Sequence, residues 1–328
     1  MTARRLRIES SDANAPRAIR DVAAPLRTTG RSHNLAQVLE LMLDTAGLSL
    51  GYEVVMGLSG LACRTPPWPA EPRLSFEEAV SAAERLGSAL EDGLTVCRGA
   101  ELPAEDLLAQ VREVVDAGRP CAALGWGSEK EDWSIICGYD IGRGHLIGHC
   151  LLDHPRERYE SWPARLEILI SLPAAPAPSG REAVERALQL GSSRLVEEAP
   201  QRYQTWMNAM LQADAPPSPI QPHEQAVEML ADARSAAATF AAAVARHEDE
   251  VASAWLTRAA NLWHEMVEIL ESRGAPHTPE AIAWLDHPEG RRAWATVLER
   301  AARLDDRAAV AVKCSLTVDY LPEERYGP

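Results

Sequence analysis

The chain has 328 residues, enough for two ordinary domains, and 46% of them are hydrophobic, a share typical of globular rather than disordered proteins. Its formal net charge of −15 and its pI near 5.1 argue against general nucleic-acid binding, because an acidic surface repels phosphate. No apolar run resembles a signal peptide, and none approaches the roughly 20 residues that span a bilayer. We therefore expect a cytoplasmic protein without a membrane partner.

The first 31 residues form the one basic segment of this acidic chain. We interpret residues 1–31 as a polar basic N-terminal arm. Binding of a partner is the alternative to a mobile leader.

Three helices are predicted in the first half. The first covers residues 33–47, with Gly47 as its stop. Its apolar residues share one helical face: Leu35, Val38, Leu39, Met42 and Leu43. Ser75, followed three residues later by Glu78, is a capping-box pattern that opens the second helix. The third covers residues 103–118 and is closed by Gly118.

Short apolar runs separated by turns then predict a small, mainly antiparallel sheet. The runs share a strand's length and composition and cover residues 119–126, 132–140, 144–152 and 164–172. Helices followed by a sheet make residues 32–172 an α+β domain. A Pro/Ala/Ser segment, residues 173–180, is typical of an interdomain linker. Residues 181–328 have long helical periodicity and predict a bundle of four or five helices.

Four stretches of the first domain carry a resemblance to a known family. They are SHNLAQVLELMLDTAGLSLGYEVVMGLSGLACR, VREVVDAGRPCAALGW, DWSIICGYD and GHLIGH. In this order they resemble a papain-like cysteine-peptidase fold of the bacteriocin-processing kind, and more closely the N-terminal domain of the butirosin biosynthesis protein H family. The helical second domain resembles the helical extension behind that domain. The first stretch is expected to form a helix, a Met-Gly-Leu-Ser-Gly turn and a short strand.

The resemblance implies a catalytic triad that this chain has lost. The nucleophilic cysteine would follow a histidine at the start of the first helix, where the helix dipole favours a thiolate. Here His33 is followed by Asn34. The triad histidine would fall at Asp132 or Trp133, and the orienting acid at His149. An amide cannot act as a thiolate, and an indole cannot accept a proton.

The six cysteines show no CxxC pairing, so free thiols are expected. Cys63 is the best substitute nucleophile, since it follows a Gly-rich turn and has Arg64 beside it, with His33 as a candidate base. Packing in the core is the alternative for Cys63, and the one we favour. Two sets of residues are candidate metal ligands, and neither predicts a metal site. The first is His247, His264 and Glu268 on helices, and the second is His145 and His149 on a strand. We expect neither a metal nor a cofactor.

Trp126 and Trp133 lie on either side of a charged loop and are expected at the mouth of a cleft. The full candidate site is His33, Asn34, Cys63, Arg64, Trp126, Asp132, Trp133 and His149. The leading expectation is a degenerate cleft that binds a small molecule, a peptide or a carrier-linked acyl group. One alternative is an acyl or amide transferase with an acyl carrier protein as partner and His33 or His149 as base. The other is a structural protein that forms a homodimer through its helical domain.

Overall fold

The computed structural model describes residues 16–19, 22, 31–69, 74–91, 93–126, 133–150, 158–161, 166–174, 180–212, 220–272, 285 and 287–317. Mixed α+β architecture, with an antiparallel sheet and a helical C-terminal region, is confirmed. Among these described residues, no helix is both long enough and apolar enough to cross a bilayer. Most of the predicted N-terminal arm lies outside the described residues.

The chain divides into two compact units, and the division differs from a single cut at the linker. The α/β unit comprises Met1–Val55 and Ser75–Gly180. The helical unit comprises Arg181–Pro328 together with Met56–Leu74, a segment taken from the first half of the chain. Residues 56–74 were expected inside the first domain. The described residues of this segment, 56–69 and 74, instead belong to the helical unit.

The sheet of the α/β unit is antiparallel, with the order β2-β7-β3-β4-β5-β6 and with β1 paired to β4. Its strands in the described part of the chain are β1 (Arg17–Ala18), β2 (Thr95–Arg98), β3 (Cys121–Leu124), β4 (Trp133–Asp140), β5 (His145–Cys150), β6 (Arg158–Ser161) and β7 (Ile168–Ser171). Strand β1 falls inside the predicted arm. The four predicted runs correspond to β3, β4, β5 and β7.

Helices α1 (Asn34–Thr45), α3 (Phe76–Ala89) and α4 (Ala104–Asp116) confirm the three predicted helices. Gly47 follows α1 with φ +93°, which a residue without a Cβ adopts at little cost. Ser75 and Glu78 form the capping box that the sequence indicates. Helix α2 (Tyr52–Leu58) occupies the place of the expected turn, and no strand follows it within residues 59–69.

The helical unit contains α5 (Arg181–Glu197), α6 (Ala199–Gln212), α7 (Ile220–Ala245), α8 (Glu250–Glu271) and α9 (Pro288–Thr317). The last three are the long helices that the periodicity predicts. Phe240 on α7 shows how tightly the end of α2, from Met56 onwards, packs within this unit, because a Cβ on Gly57 would lie 2.3 Å from its ring. A glycine at residue 57 therefore permits the contact.

Candidate functional site

The start of α1 carries two of the predicted site residues. His33 is the N-cap residue and is buried, and its backbone N–H donates to the Tyr52 hydroxyl at 3.4 Å. The His33 side chain makes no capping hydrogen bond, and the first turn contains no acidic residue. Asn34, half-buried, is the first helical residue. The expected nucleophile position is thus an amide at a helix N-terminus.

One face of the sheet packs against α4. Residues of α4, including Val111 and Val115, share a core with Ile136, Cys150 and Trp126. The Trp126 ring lies over Gly148, where a Cβ would approach it to 3.0 Å. Because side chains alternate along a strand, the neighbours of Ile136 and Cys150 point to the other face.

His149 and Trp133 lie on that other face. His149 pairs with Ile135 across β4 and β5, and Trp133 precedes Ile135 by two residues. Helix α1 packs against β3 and β4 without joining the α4 core, so it covers this face. His149 is 9% exposed, and its Nδ1 is buried without a hydrogen-bond partner among the described residues.

The structure therefore separates two tryptophans that were expected to flank one cleft. Trp133 and Trp126 lie on opposite faces, and both are buried, at 5% and 4% exposure. The physical reason is strand register: Trp133 is three residues from Ile136 and so takes the opposite face, whereas Trp126 lies in the core that Ile136 shares with α4. Asp132, the remaining candidate, lies outside the described residues.

Cys63 belongs to the helical unit, whereas His33 and His149 belong to the α/β unit. The residue is partly accessible, but its Sγ packs so close to α5 that a Cβ on Gly191 would lie 2.7 Å from it. Burial raises the pKa of the Cys63 thiol to about 11, against the opposing effect of Arg234 and Arg194. These two arginines, rather than the sequence neighbour Arg64, are the cations that act on it. Core packing is the role that this environment supports.

Alkylation of Cys63 by iodoacetamide at pH 8 should be at least about a hundredfold slower than alkylation of an unperturbed thiol. At a pKa near 11 the thiolate fraction is about 0.1%, against about a quarter for an ordinary cysteine. Mass spectrometry of the digested protein measures the rate, with partly accessible Cys314 as internal comparison. Fast modification of native Cys63 would restore it as a candidate nucleophile.

A buried ion pair holds residues 62–65 in the helical unit. Arg234 on α7 binds Asp305 on α9 through two hydrogen bonds, Nε to Oδ1 at 2.7 Å and NH2 to Oδ2 at 2.6 Å. NH1 donates to the carbonyls of Ala62 and Arg64, each at 3.1 Å, and NH2 donates to the Thr65 hydroxyl at 2.8 Å. One guanidinium thus joins two helices to residues 62–65.

The Asp305 carboxylate makes further hydrogen bonds besides those with Arg234. It also accepts from the Tyr203 hydroxyl at 2.8 Å and from Trp263 Nε1 at 3.2 Å. Burial disfavours the charge of Arg234, but the carboxylate outweighs burial and holds the pKa of the guanidinium above its usual range. Burial, with the Asp305 charge next, raises the pKa of Tyr203 well above its ordinary value. Sequence reasoning missed this network. The pattern that indicates a buried charge is Arg234 at helical spacing from Leu230 and Ala237, on an otherwise apolar helix face.

Three tryptophans and a histidine form a second cluster in the helical unit, in which Trp68 is half-buried and the other three residues are buried. Trp68 stacks on Trp206 with 5.6 Å between ring centroids, and Trp206 Nε1 donates to His223 Nδ1 at 3.1 Å. The Trp294 ring meets His223 edge-on at 4.6 Å. His223 is fully buried, and burial lowers its pKa to about 3.

No cluster of three or more potential metal-ligating side chains occurs in the part of the chain that the structure describes. The candidate sites in the described residues are the α1 start, His149 and a cleft of the helical unit lined by α5, α8 and α9. No family model matches the sequence, and no curated protein matches it at a significant level.

Proposed function

We propose that the chain is a binding protein with a degenerate papain-like α/β unit, which holds its ligand at the start of α1 without a cysteine nucleophile. The observation that carries the proposal is Asn34 as the first residue of a helix whose N-cap residue, His33, makes no side-chain capping hydrogen bond and whose first turn has no acidic residue. Backbone N–H groups and the positive helix end favour a carboxylate or a polarised carbonyl there. A small molecule, a peptide or a carrier-linked acyl group supplies such an oxygen.

The thiols support binding over covalent catalysis. Burial raises the pKa of both Cys63 and Cys121, so neither is a ready thiolate. Cys137 and Cys150 are buried in strands that pair in the middle of the sheet. The transferase alternative needs no thiol, because a thioester is already activated, but it requires His33 or His149 as base.

A thioester probe, S-octanoyl-N-acetylcysteamine, tests the proposal on the full chain. The wild-type protein should gain thermal stability from the probe and leave it intact, because binding to the folded state stabilises that state. Asn34→Leu, which removes the amide at similar volume, should lose at least half of the gain in Tm. Asn34→Cys should become acylated, because a thiol at a helix start has a lowered pKa. Differential scanning fluorimetry and intact-protein mass spectrometry give the two readouts.

Asn208→Cys is the matched control, since Asn208 is exposed to solvent and lies away from the N-terminus of α6. Its acylation should be at least about tenfold slower than that of Asn34→Cys, as expected for a thiol without the helix-end effect. Equal rates would remove the α1 start from the proposal. Consumption of the thioester by the wild type with an added amine, lost in His149→Ala, would favour the transferase instead.

A further inference from the structure

A cleft opens inside the helical unit between α5, the start of α8 and the end of α9. Its volume is about 620 Å³, within the range of roughly 300–1,000 Å³ that is usual for small-molecule sites. Every residue that lines it belongs to the helical unit. It is therefore separate from the α1 start on which the proposed function rests.

The cleft is elongated along α5. Its α5 lining includes Arg181, Glu185, Leu188 and Ser192, which recur every three or four residues on one helical face. Eleven residues of rise correspond to about 16 Å. An extended ligand fits this shape better than a compact one.

Within its otherwise mostly polar lining, the cleft has an apolar floor made of four residues. Leu188 and Leu256 are 7% and 1% exposed, and Val184 and Leu316 also line the cleft. Each methylene group that a ligand buries on such a floor contributes about 0.8 kcal/mol of transfer free energy. An alkyl or similar apolar body is the part of a ligand that this floor favours.

The charged groups differ in whether they already have a partner. Arg181 is paired with Glu185 at 2.7 Å and with Glu248 at 3.3 Å. Lys313, on the last turns of α9, is exposed and lines the cleft, and it makes no ion pair with any described residue. The cleft thus offers an ammonium group beside an apolar floor.

We propose that this cleft is a binding site for a monocarboxylic acid with an extended apolar body, whose carboxylate pairs with Lys313 and whose body lies along Leu188 and Leu256. The acid binds reversibly, and no bond is made or broken. The site goes beyond the proposed function, because every residue that lines it belongs to the helical unit and none belongs to the α1 start.

Calorimetric titration of the full chain with decanoate and with decan-1-ol tests the site. The two probes share an apolar body, and only decanoate carries the negative charge. Decanoate should bind with one-to-one stoichiometry and about three- to tenfold more tightly than the alcohol. Lys313→Met should remove that difference and leave decanol binding unchanged. Gln189→Trp, a change at an exposed residue that lines the cleft, should weaken both probes at least about tenfold by filling space.

Arg300→Met is the matched control, because it removes the same charge from an exposed position on α9 about 20 Å along the helix from Lys313. It should leave both affinities within about twofold of the wild type. Equal affinity for decanoate and decanol, equal effects of the two charge removals, or no saturable binding would each overturn the site. The Asn34→Leu variant should bind decanoate normally, which separates this site from the α1 start.

Discussion

Replacement of Arg234 by Met should lower the free energy of unfolding of the helical unit by about 3–5 kcal/mol. Arg234 and Asp305 are both fully buried, so the substitution leaves a carboxylate without its counter-ion in an apolar interior. The carbonyls of Ala62 and Arg64 lose their shared donor in the same step. Urea denaturation followed by circular dichroism measures the loss, as a lower midpoint of the helical transition.

Arg303→Met is the control, since its ion pair with Glu299 is exposed on α9. Exposed pairs contribute about 0–1 kcal/mol, so this variant should unfold close to the wild-type midpoint. Arg234→Met combined with Asp305→Leu should be more stable than Arg234→Met alone, because no buried charge remains. A loss below about 1 kcal/mol in Arg234→Met would show that the buried pair is not what holds residues 62–65 in place.

Acidification from pH 7 to pH 5 should destabilise the helical unit by about 2 kcal/mol through His223 alone. Burial lowers its pKa from 6.5 to about 3, so the unfolded chain binds the proton more readily than the folded one. The effect of His223 on the free energy of unfolding is therefore negligible well above pH 6.5, and the free energy of unfolding falls as the pH drops below that value. The slope is about 1.4 kcal/mol per pH unit, and it ends as the pH approaches 3.

His223→Gln isolates this contribution, because an amide oxygen can still accept from Trp206 Nε1 but does not titrate. The difference in unfolding free energy between wild type and variant, measured at pH 7 and at pH 5, should change by about 2 kcal/mol. His264→Gln is the matched control on the exposed face of α8 and should follow the wild type. An identical pH dependence in His223→Gln and wild type would contradict a buried, neutral His223.

Local signals were sufficient for most helices and strands. Alternating or periodic apolar residues indicated α1, α4, β4 and the long helices, because the period of a pattern depends only on which face an element buries. The Ser75–Glu78 capping box and Gly47 as the stop of α1 could be predicted for the same reason, since each acts within a few residues. The amide side chain at the α1 start, Asn34, could likewise be predicted from the local helix pattern.

Residues 56–69 could not be placed from local signals. The sequence there is compatible with a turn and a strand, but its carbonyls and Thr65 accept from Arg234, about 170 residues further along the chain. The raised pKa of the Cys63 thiol could not be predicted from local signals either, because it comes from burial against α5 and not from the adjacent Arg64.

The sequence by itself determined the α+β class, most of the elements and the lack of a cysteine at the start of α1. Only the tertiary structure decided which unit receives residues 56–74, which sheet face Trp126 and Trp133 occupy, and where a ligand-sized cleft opens. The physical reason is range. Element type follows from neighbouring residues, whereas burial, strand register and buried ion pairs depend on groups that only packing brings together.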